Sequence, residues 1–344
     1  MELGEALLDE SLDDSLLAEW FPVLQCHAGV QGRGVERLKL SLANGIAPIE
    51  RYRYLIYAES GESAEDSVVL LPLIAQRPGG FNVSLEIMWM RLASTSAKKT
   101  PIPDNVVTAG RDLLAAYSFE GLSDLQTHHI NEIVKNCLTG PEGAAVVHGL
   151  CQRVQTARTH FRLTYSDARS VLGALLAVQP LAALDALFPV DSQQDVRTHW
   201  VRYRMDERYG SAFDNVPEAV LLGWCERDKE TRYTLAASAI LPFQTEPNSE
   251  VRRWKDVSLR LLERAPDRVE VLKRYIHQFE PMSWTGSRVP PWEANIKLLD
   301  SLVEYPDPKV AAFVIEERAR LRGVLEHERQ REGVTERREN ERFE

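Results

Sequence analysis

The sequence predicts an all-α fold, an irregular α-solenoid of about seven to nine antiparallel, HEAT-like helix pairs. Three observations carry the prediction. Apolar residues recur at helical spacing along most of the chain, as in Val269, Leu272, Ile276 and Phe279, which share one helix face. Turn-bounded alternating runs, the mark of strands, are almost missing. A helix, an Asp-bearing turn and a second helix recur with a period of about 40 residues, clearest at 216–325, and such a period marks stacked helix pairs. In "LLGWCERDKETRYTLA" (221–236), "LLERAPDRVEVL" (261–272) and "LVEYPDPKVAAFV" (302–314), Leu222, Leu262 and Leu302 are 40 and 40 apart. Asp228, Asp267 and Asp307 keep step at 39 and 40. Each carboxylate is expected to accept from the free N–H groups that open the second helix of its pair.

Taken in order, helices are expected at 3–19, 33–43, 48–58, 64–76, 81–92, 104–117, 126–138, 142–157, 166–178 and 180–188. In the C-terminal third they are expected at 216–226, 229–241, 251–264, 269–279, 292–303 and 308–325. "RYRYLIY" (51–57) alternates like a strand, but Pro48 and Glu50 just ahead of it favour a helix start. Pro72 is expected to kink or split its segment. "GVQGRGVERL" (29–38) has Gly29, Gly32 and Gly34 in neither GxGxxG nor GxxxxGK[ST] order, so it reads as an interhelical turn and not a phosphate cradle. Polar breaks at "STSAKKTPIP" (94–103) and "DERYGSAFDNV" (206–216) suggest an N-terminal helical segment at 1–100, middle repeats at 101–210 and C-terminal repeats at 211–325. The Glu/Arg-rich tail, 326–344, is expected to be an exposed helix with i,i+4 pairs that frays after Gly333.

Composition bounds the function classes. An apolar fraction of 44% supports a sizeable core, and 27% charged residues a soluble surface. The formal charge of −10, from 41 basic against 51 acidic side chains, opposes non-specific binding to nucleic acid or anionic membranes. Cys26, Cys137, Cys151 and Cys225 form no CxxC pair, so each reads as a free buried thiol suited to a reducing cytoplasm. The acidic "MELGEALLDESLDDSLLAEWF" is not expected to be a secretory signal. No run reaches the roughly 20 apolar residues a membrane span needs.

Catalytic and metal chemistry find little support. His128 and Glu132 share a helix face with Cys137 further on, but HExxH is absent and a metal needs three converging ligands. "TGSRV" around Ser287 is not a GxSxG elbow. Cys26 and His27 are neighbours in sequence, whereas a catalytic pair converges in space. The chain is therefore expected to be no enzyme, with no cofactor and no metal.

Two stretches invite a site. In "VRTHWVRYRMDERYG" (196–210), Arg197, Arg202, Arg204 and Arg208 interleave with Trp200 and other aromatics, a candidate partner or polyanion surface. Asp195, Asp206 and Glu207 can equally pair those arginines. "QFEPMSWTGSRVPP" (278–291) falls between repeats, in the slot that "PFQTEPNSE" (242–250) occupies one repeat earlier. It reads as a structural connector. Pro281 stops one helix, Trp284 plugs the junction and Gly286 permits the turn, while Ser287 and Arg288 lead into a helix begun by Pro290 and Pro291.

"LLGWC", "PMSWTGSR" and the terminal "ERFE" resemble the helical C-terminal region of large, mostly uncharacterised bacterial multidomain proteins, some of which carry NTPase or effector modules upstream. The resemblance covers about residues 105–344. Its motifs are loop and packing signatures, so it implies a helical fold and no active-site residue. The expected function is a protein–protein interaction scaffold or sensor in the cytoplasm, working without catalysis, with another protein as partner and no membrane. The alternative is a nucleic-acid-binding helical repeat using 196–209.

Overall fold

The helical spacing of the apolar residues becomes helix over most of the chain. The computed structural model describes residues 2–57, 67–119, 124–160, 162–189, 211–246, 251–279 and 286–343. These are all-α apart from one two-stranded antiparallel hairpin. The chain divides into two compact units, Met1–Val190 and Asp191–Glu344.

Unit 1 opens with α1 (Glu2–Asp13), α2 (Phe21–Ala28) and α3 (Arg33–Asn44). The buried guanidinium of Arg37 ties α3 to α1, with Nε 2.6 Å from Asp9 Oδ1 and Nη1 2.7 Å from Glu5 Oε2. The glycines of 29–34 make the α2–α3 turn. Gly34 passes so close to Gly29 O that an added Cβ would sit 2.7 Å from it. Residues 49–57, expected as a helix, are helical but wound as a 3₁₀ helix, Ile49–Tyr57, which packs on α2. Its inward stripe includes Tyr52, whose hydroxyl donates to Ser41 Oγ at 2.8 Å, and the fully buried Leu55. The segment around Pro72 is split, not kinked, into a 3₁₀ turn at Val68–Leu70 and a short helix after it. Pro72 lies in the first turn of that helix, α4 (Leu71–Ala75), where its missing N–H has no partner to lose.

There follow α5 (Gly80–Lys98), α6 (Asp104–Ala115), α7 (Asp124–Cys137), α8 (Gly143–Thr159), α9 (Tyr165–Val178) and α10 (Pro180–Leu187). Each packs on the helix next but one as well as on its chain neighbour. The 3₁₀ helix, α5, α7 and α9 form one such series, and α4, α6, α8 and α10 the other. Side chains stitch the series together at nearly constant separation. Thr127 Oγ1 donates to Asp167 Oδ1 at 2.9 Å, 40 residues away, and Asn131 Nδ2 to Ser170 Oγ at 2.7 Å, 39 away. Arg153 Nη2 donates to Leu114 O at 3.2 Å, 39 away, and Gln179 Nε2 to Leu138 O at 3.0 Å, 41 away. The polar stretch 94–103 holds the end of α5 and the link to α6.

Unit 2 contains α11 (Glu218–Glu226), α12 (Lys229–Ala239), β1 (Phe243–Thr245), β2 (Arg252–Trp254), α13 (Asp256–Arg264), α14 (Arg268–Ile276), α15 (Val289–Asp300) and α16 (Pro308–Phe343). The three aspartates in step act as expected. Asp228 accepts the Thr231 N–H at 3.4 Å, Asp267 that of Glu270 at 2.9 Å and Asp307 that of Lys309 at 3.0 Å. The second helices of the pairs, α12, α14 and α16, pack on one another in sequence order. Trp224, Tyr233, Phe243, Tyr275 and Phe279 are almost wholly buried and form the aromatic part of the core.

In unit 2 the hairpin and the tail depart from expectation. Residues 251–264 were expected as one helix, but 252–254 pair with 243–245 before α13 begins. Trp254 turns inward there, donating its indole N–H to Leu298 O and Ser301 Oγ, each at 3.1 Å. The tail does not end its helix at Gly333. α16 runs on to Phe343, since one glycine costs only about 1 kcal/mol of helix propensity and pairs such as Arg320–Glu317 and Arg331–Glu328 line the preceding turns.

Many basic and amide side chains finish helix C-termini. A helix leaves its last carbonyls without intrahelical donors and carries partial negative charge there. Arg77 donates to Leu42 O, Arg111 to Cys137 O, Arg232 to Trp224 O, Gln278 to Ala237 O, and Arg268 twice to Glu263 O.

Candidate functional site

Arg197, Trp200, Arg202, Arg204 and Arg208, the candidate partner or polyanion surface, lie outside the described residues, as do Pro281 and Trp284. Gly286, Ser287 and Arg288 are described, and Ser287 and Arg288 are held by α16. Gly286 has φ 87°, the left-handed region glycine favours. Ser287 Oγ donates to Glu332 Oε2 at 2.8 Å and accepts the Val289 N–H at 3.1 Å. The Arg288 N–H donates to Glu332 Oε1 at 2.9 Å, and Arg288 Nη1 to Glu328 Oε1 at 3.3 Å. The Ser287 hydroxyl and the Arg288 N–H hold the Glu332 carboxyl below the usual carboxylate range. Both carboxylates come from the charged run that sequence reasoning treated as solvent-facing. The signal was the spacing: Leu321, Leu325, Glu328 and Glu332 fall on one face, and the first three are buried.

The nucleophile and metal candidates do not assemble. Burial pushes the thiols of Cys26, Cys137, Cys151 and Cys225 up to about 12, so they are protonated at neutral pH and poor nucleophiles. Cys137 packs against Gly110, while the His128 ring meets Trp89 edge-on at 5.8 Å. Among the described residues, no group of three or more His, Cys, Asp or Glu side chains is placed to hold a metal. His129, not singled out from sequence, is the buried member of the pair and stacks on Trp89 at 4.4 Å and 24°. Burial lowers its pKa, with the Glu86 carboxylate acting the other way and His128 adding to the lowering.

What unit 1 does present is an apolar cleft of about 340 Å³ between α4, α5 and α6. Leu71 and Leu113, both buried, form its floor, with Pro72, Ala75, Phe81 and Ala116 around them. Phe81 is braced by Tyr117, the ring centroids 5.3 Å apart. Gln76 and Asp112 are the polar groups at the mouth, and both are exposed. The volume is at the lower end of ligand-sized clefts, and the lining suits an apolar group. Sequence reasoning missed it because each contributing helix reads as an ordinary amphipathic segment. The cleft exists only where Pro72 begins a five-residue helix beside the small residues of α6.

No helix among the described residues is long and apolar enough to cross a membrane. No protein-family model, curated protein or solved structure matches the chain.

Proposed function

We propose that the chain is a non-enzymatic protein–protein interaction scaffold or sensor built as an irregular, HEAT-like solenoid of helix pairs. The observation that carries the reading is the packing of each helix on the next but one, with hydrogen bonds recurring at separations of 39 to 41 residues. A helix pair that repeats in this way buries its inner faces against its neighbours and leaves outer faces for macromolecules. The cleft floored by Leu71 and Leu113 is the surface on unit 1 we assign to an apolar side chain of the partner. Its resemblance to the C-terminal regions of large bacterial proteins supports a place as the interaction part of such a system. Four free cysteines, three of them buried, suit a reducing cytoplasm.

The nucleic-acid reading rests on 196–209 and has no support among the described residues. Many of the arginines described there finish helix ends or pair with carboxylates, as Arg37, Arg111 and Arg268 do.

Affinity purification from the native host, with and without nuclease, tests the reading. Captured protein is expected to survive nuclease and to be lost from Ala116→Trp, which fills the cleft from its exposed rim, while the melt stays unchanged. Capture abolished by nuclease with steep salt dependence, or nucleotide turnover by the purified chain, refutes it.

A further inference from the structure

The apolar cleft of unit 1 has two unlike walls. On the α4 side the apolar surface continues past the rim through Val69 and Leu73, both exposed, which share the face of Gln76 at helical spacing. On the α6 side the rim is small and acidic, made by Ala109, Asp112 and Ala116. Among the described residues no cation pairs with the Asp112 carboxylate. Its neighbour Arg111 is turned the other way, donating to Cys137 O at 2.9 Å and standing 3.6 Å from Glu142. An uncompensated carboxylate therefore sits at the mouth of a space floored by Leu71 and Leu113.

Volume, walls and charge together select the occupant. The 340 Å³ of the cleft is more than twice the size, about 150 Å³, of a cavity that holds one benzene, so a first apolar side chain leaves room for a second. The walls are helices, whose N–H and C=O groups are paired within themselves along their length. They offer no free edge on which an extended segment could pair its backbone. A helix arrives with its backbone already paired, and residues one turn apart on it lie about 5–6 Å from each other, which brings two apolar groups into one cleft. Laying an amphipathic helix into an apolar groove is a general mode of peptide recognition. The Asp112 carboxylate then favours a cation beside those groups. A Lys or Arg one turn further on can lay its stem along apolar surface and bring its charged head to the rim. The formal charge of −10 steers a basic segment toward the chain and repels an acidic one.

We propose that the cleft is a docking groove for a basic amphipathic helix of the partner, which seats two apolar side chains on Leu71 and Leu113 and pairs a Lys or Arg with Asp112. The inference rests on the reading of the chain as a protein-binding scaffold, and it names the partner chemistry that this cleft takes.

The test is fluorescence anisotropy of a dye-labelled peptide titrated with the full chain. The peptide has about 18 residues, long enough to be helical alone, with two leucines four apart and a lysine four further on in an alanine–glutamine background. It is expected to bind. Glutamate in place of the peptide's lysine should weaken binding about tenfold or more, and so should Asp112→Lys against the lysine peptide. The glutamate peptide should regain its affinity on Asp112→Lys, a rescue that a merely structural effect of the substitution would not produce. Ala116→Trp should abolish binding, as should a proline between the two leucines, which breaks the peptide helix. Circular-dichroism melts of both variants should match wild type, because Asp112 and Ala116 are exposed. Absence of peptide binding, or binding indifferent to the exchange of charge, overturns the proposal. So does undiminished binding of the proline-bearing peptide, or phenethylammonium held as tightly as the peptide with the same dependence on Asp112. If the peptide fails while capture of a nuclease-resistant partner remains sensitive to Ala116→Trp, this inference falls and the scaffold reading stands. If capture fails as well, both fall.

Discussion

Replacing Asp267 by alanine isolates the capping logic that starts the second helices of unit 2. Asp267 is exposed, and its carboxylate accepts the Glu270 N–H at 2.9 Å. Its backbone, at φ −110° and ψ 89°, is open to any L residue, so Asp267→Ala removes the acceptor without straining the chain. No core contact is lost. The whole effect is one orphaned N–H and one missing anion at the start of α14, which together cost about 1 kcal/mol, within a range of about 0.5–2. For a unit of this size that corresponds to a melting temperature lower by about 2–4 °C. Asp267→Asn keeps the acceptor oxygen and should lose less than half as much. Urea titration followed by circular dichroism reads the difference as a lower midpoint with an unchanged slope, the sign of altered stability rather than altered compactness. If Asp267→Ala matches wild type, or the asparagine variant is as damaged as the alanine variant, the cap is not what starts the second helix.

Other expectations follow from individual contacts. Burial holds the His129 pKa below the ordinary histidine value of 6.5, so the unfolded chain binds the proton more tightly. Stability is then level above about pH 6.5 and declines as pH falls from there toward the folded pKa; His129→Phe, which keeps a ring on Trp89, should flatten that decline in denaturation midpoints measured across this window. Arg37→Met should free α1 from α3, seen as faster amide exchange across Glu2–Asp13, and should let the Asp9 pKa, lowered chiefly by its bond to Arg37, rise toward its ordinary value in an NMR titration. Glu332→Ala should speed exchange of the Arg288 amide. Because the folded Glu332 pKa is depressed, its contribution is present above about pH 4.5 and lost as pH falls through the folded value, so the variant should differ least from wild type in acid. Leu175→Ala, at a fully buried position of α9, should cost about 2–5 kcal/mol by urea titration.

The legibility of the fold varied with the range of the interactions behind it. Asp228, Asp267 and Asp307 could be read because a cap joins residues two or three apart, and sequence displays that directly. Helix positions such as 33–44 and 165–178 were likewise visible in their apolar spacing. The 3₁₀ winding of 49–57 was not, since Tyr52 and Leu55 suit an α-helical face equally well. β1 and β2 are three residues each, too short for alternation to stand out, and what fixes them is the reach of Trp254 to Leu298. The recurrence in unit 1 escaped notice because it is carried by Thr127–Asp167, Asn131–Ser170 and Gln179–Leu138 and not by leucines in register. The cleft depends on three helices meeting, which no single segment encodes. Of the two candidate stretches, the connector's end at 286–288 is accounted for by Glu328 and Glu332, whose roles emerge only when α16 is laid against it.

The donors that complete helix ends have a consequence for how such a chain can be lengthened or trimmed. Gln179 serves the end of α7 and Gln278 the end of α12, each from about one repeat further along. Excising half a pair would strip a surviving helix of the group that satisfies its last carbonyls, as loss of Gln179 would at Leu138 and loss of Gln278 at Ala237. On the solenoid reading proposed above, viable length variants should change in steps of about 40 residues, the period of a stacked pair. Since the stitching hydrogen bonds close loops of that same span, on this reading each added pair would dock on one already formed, and lengthening would not slow folding.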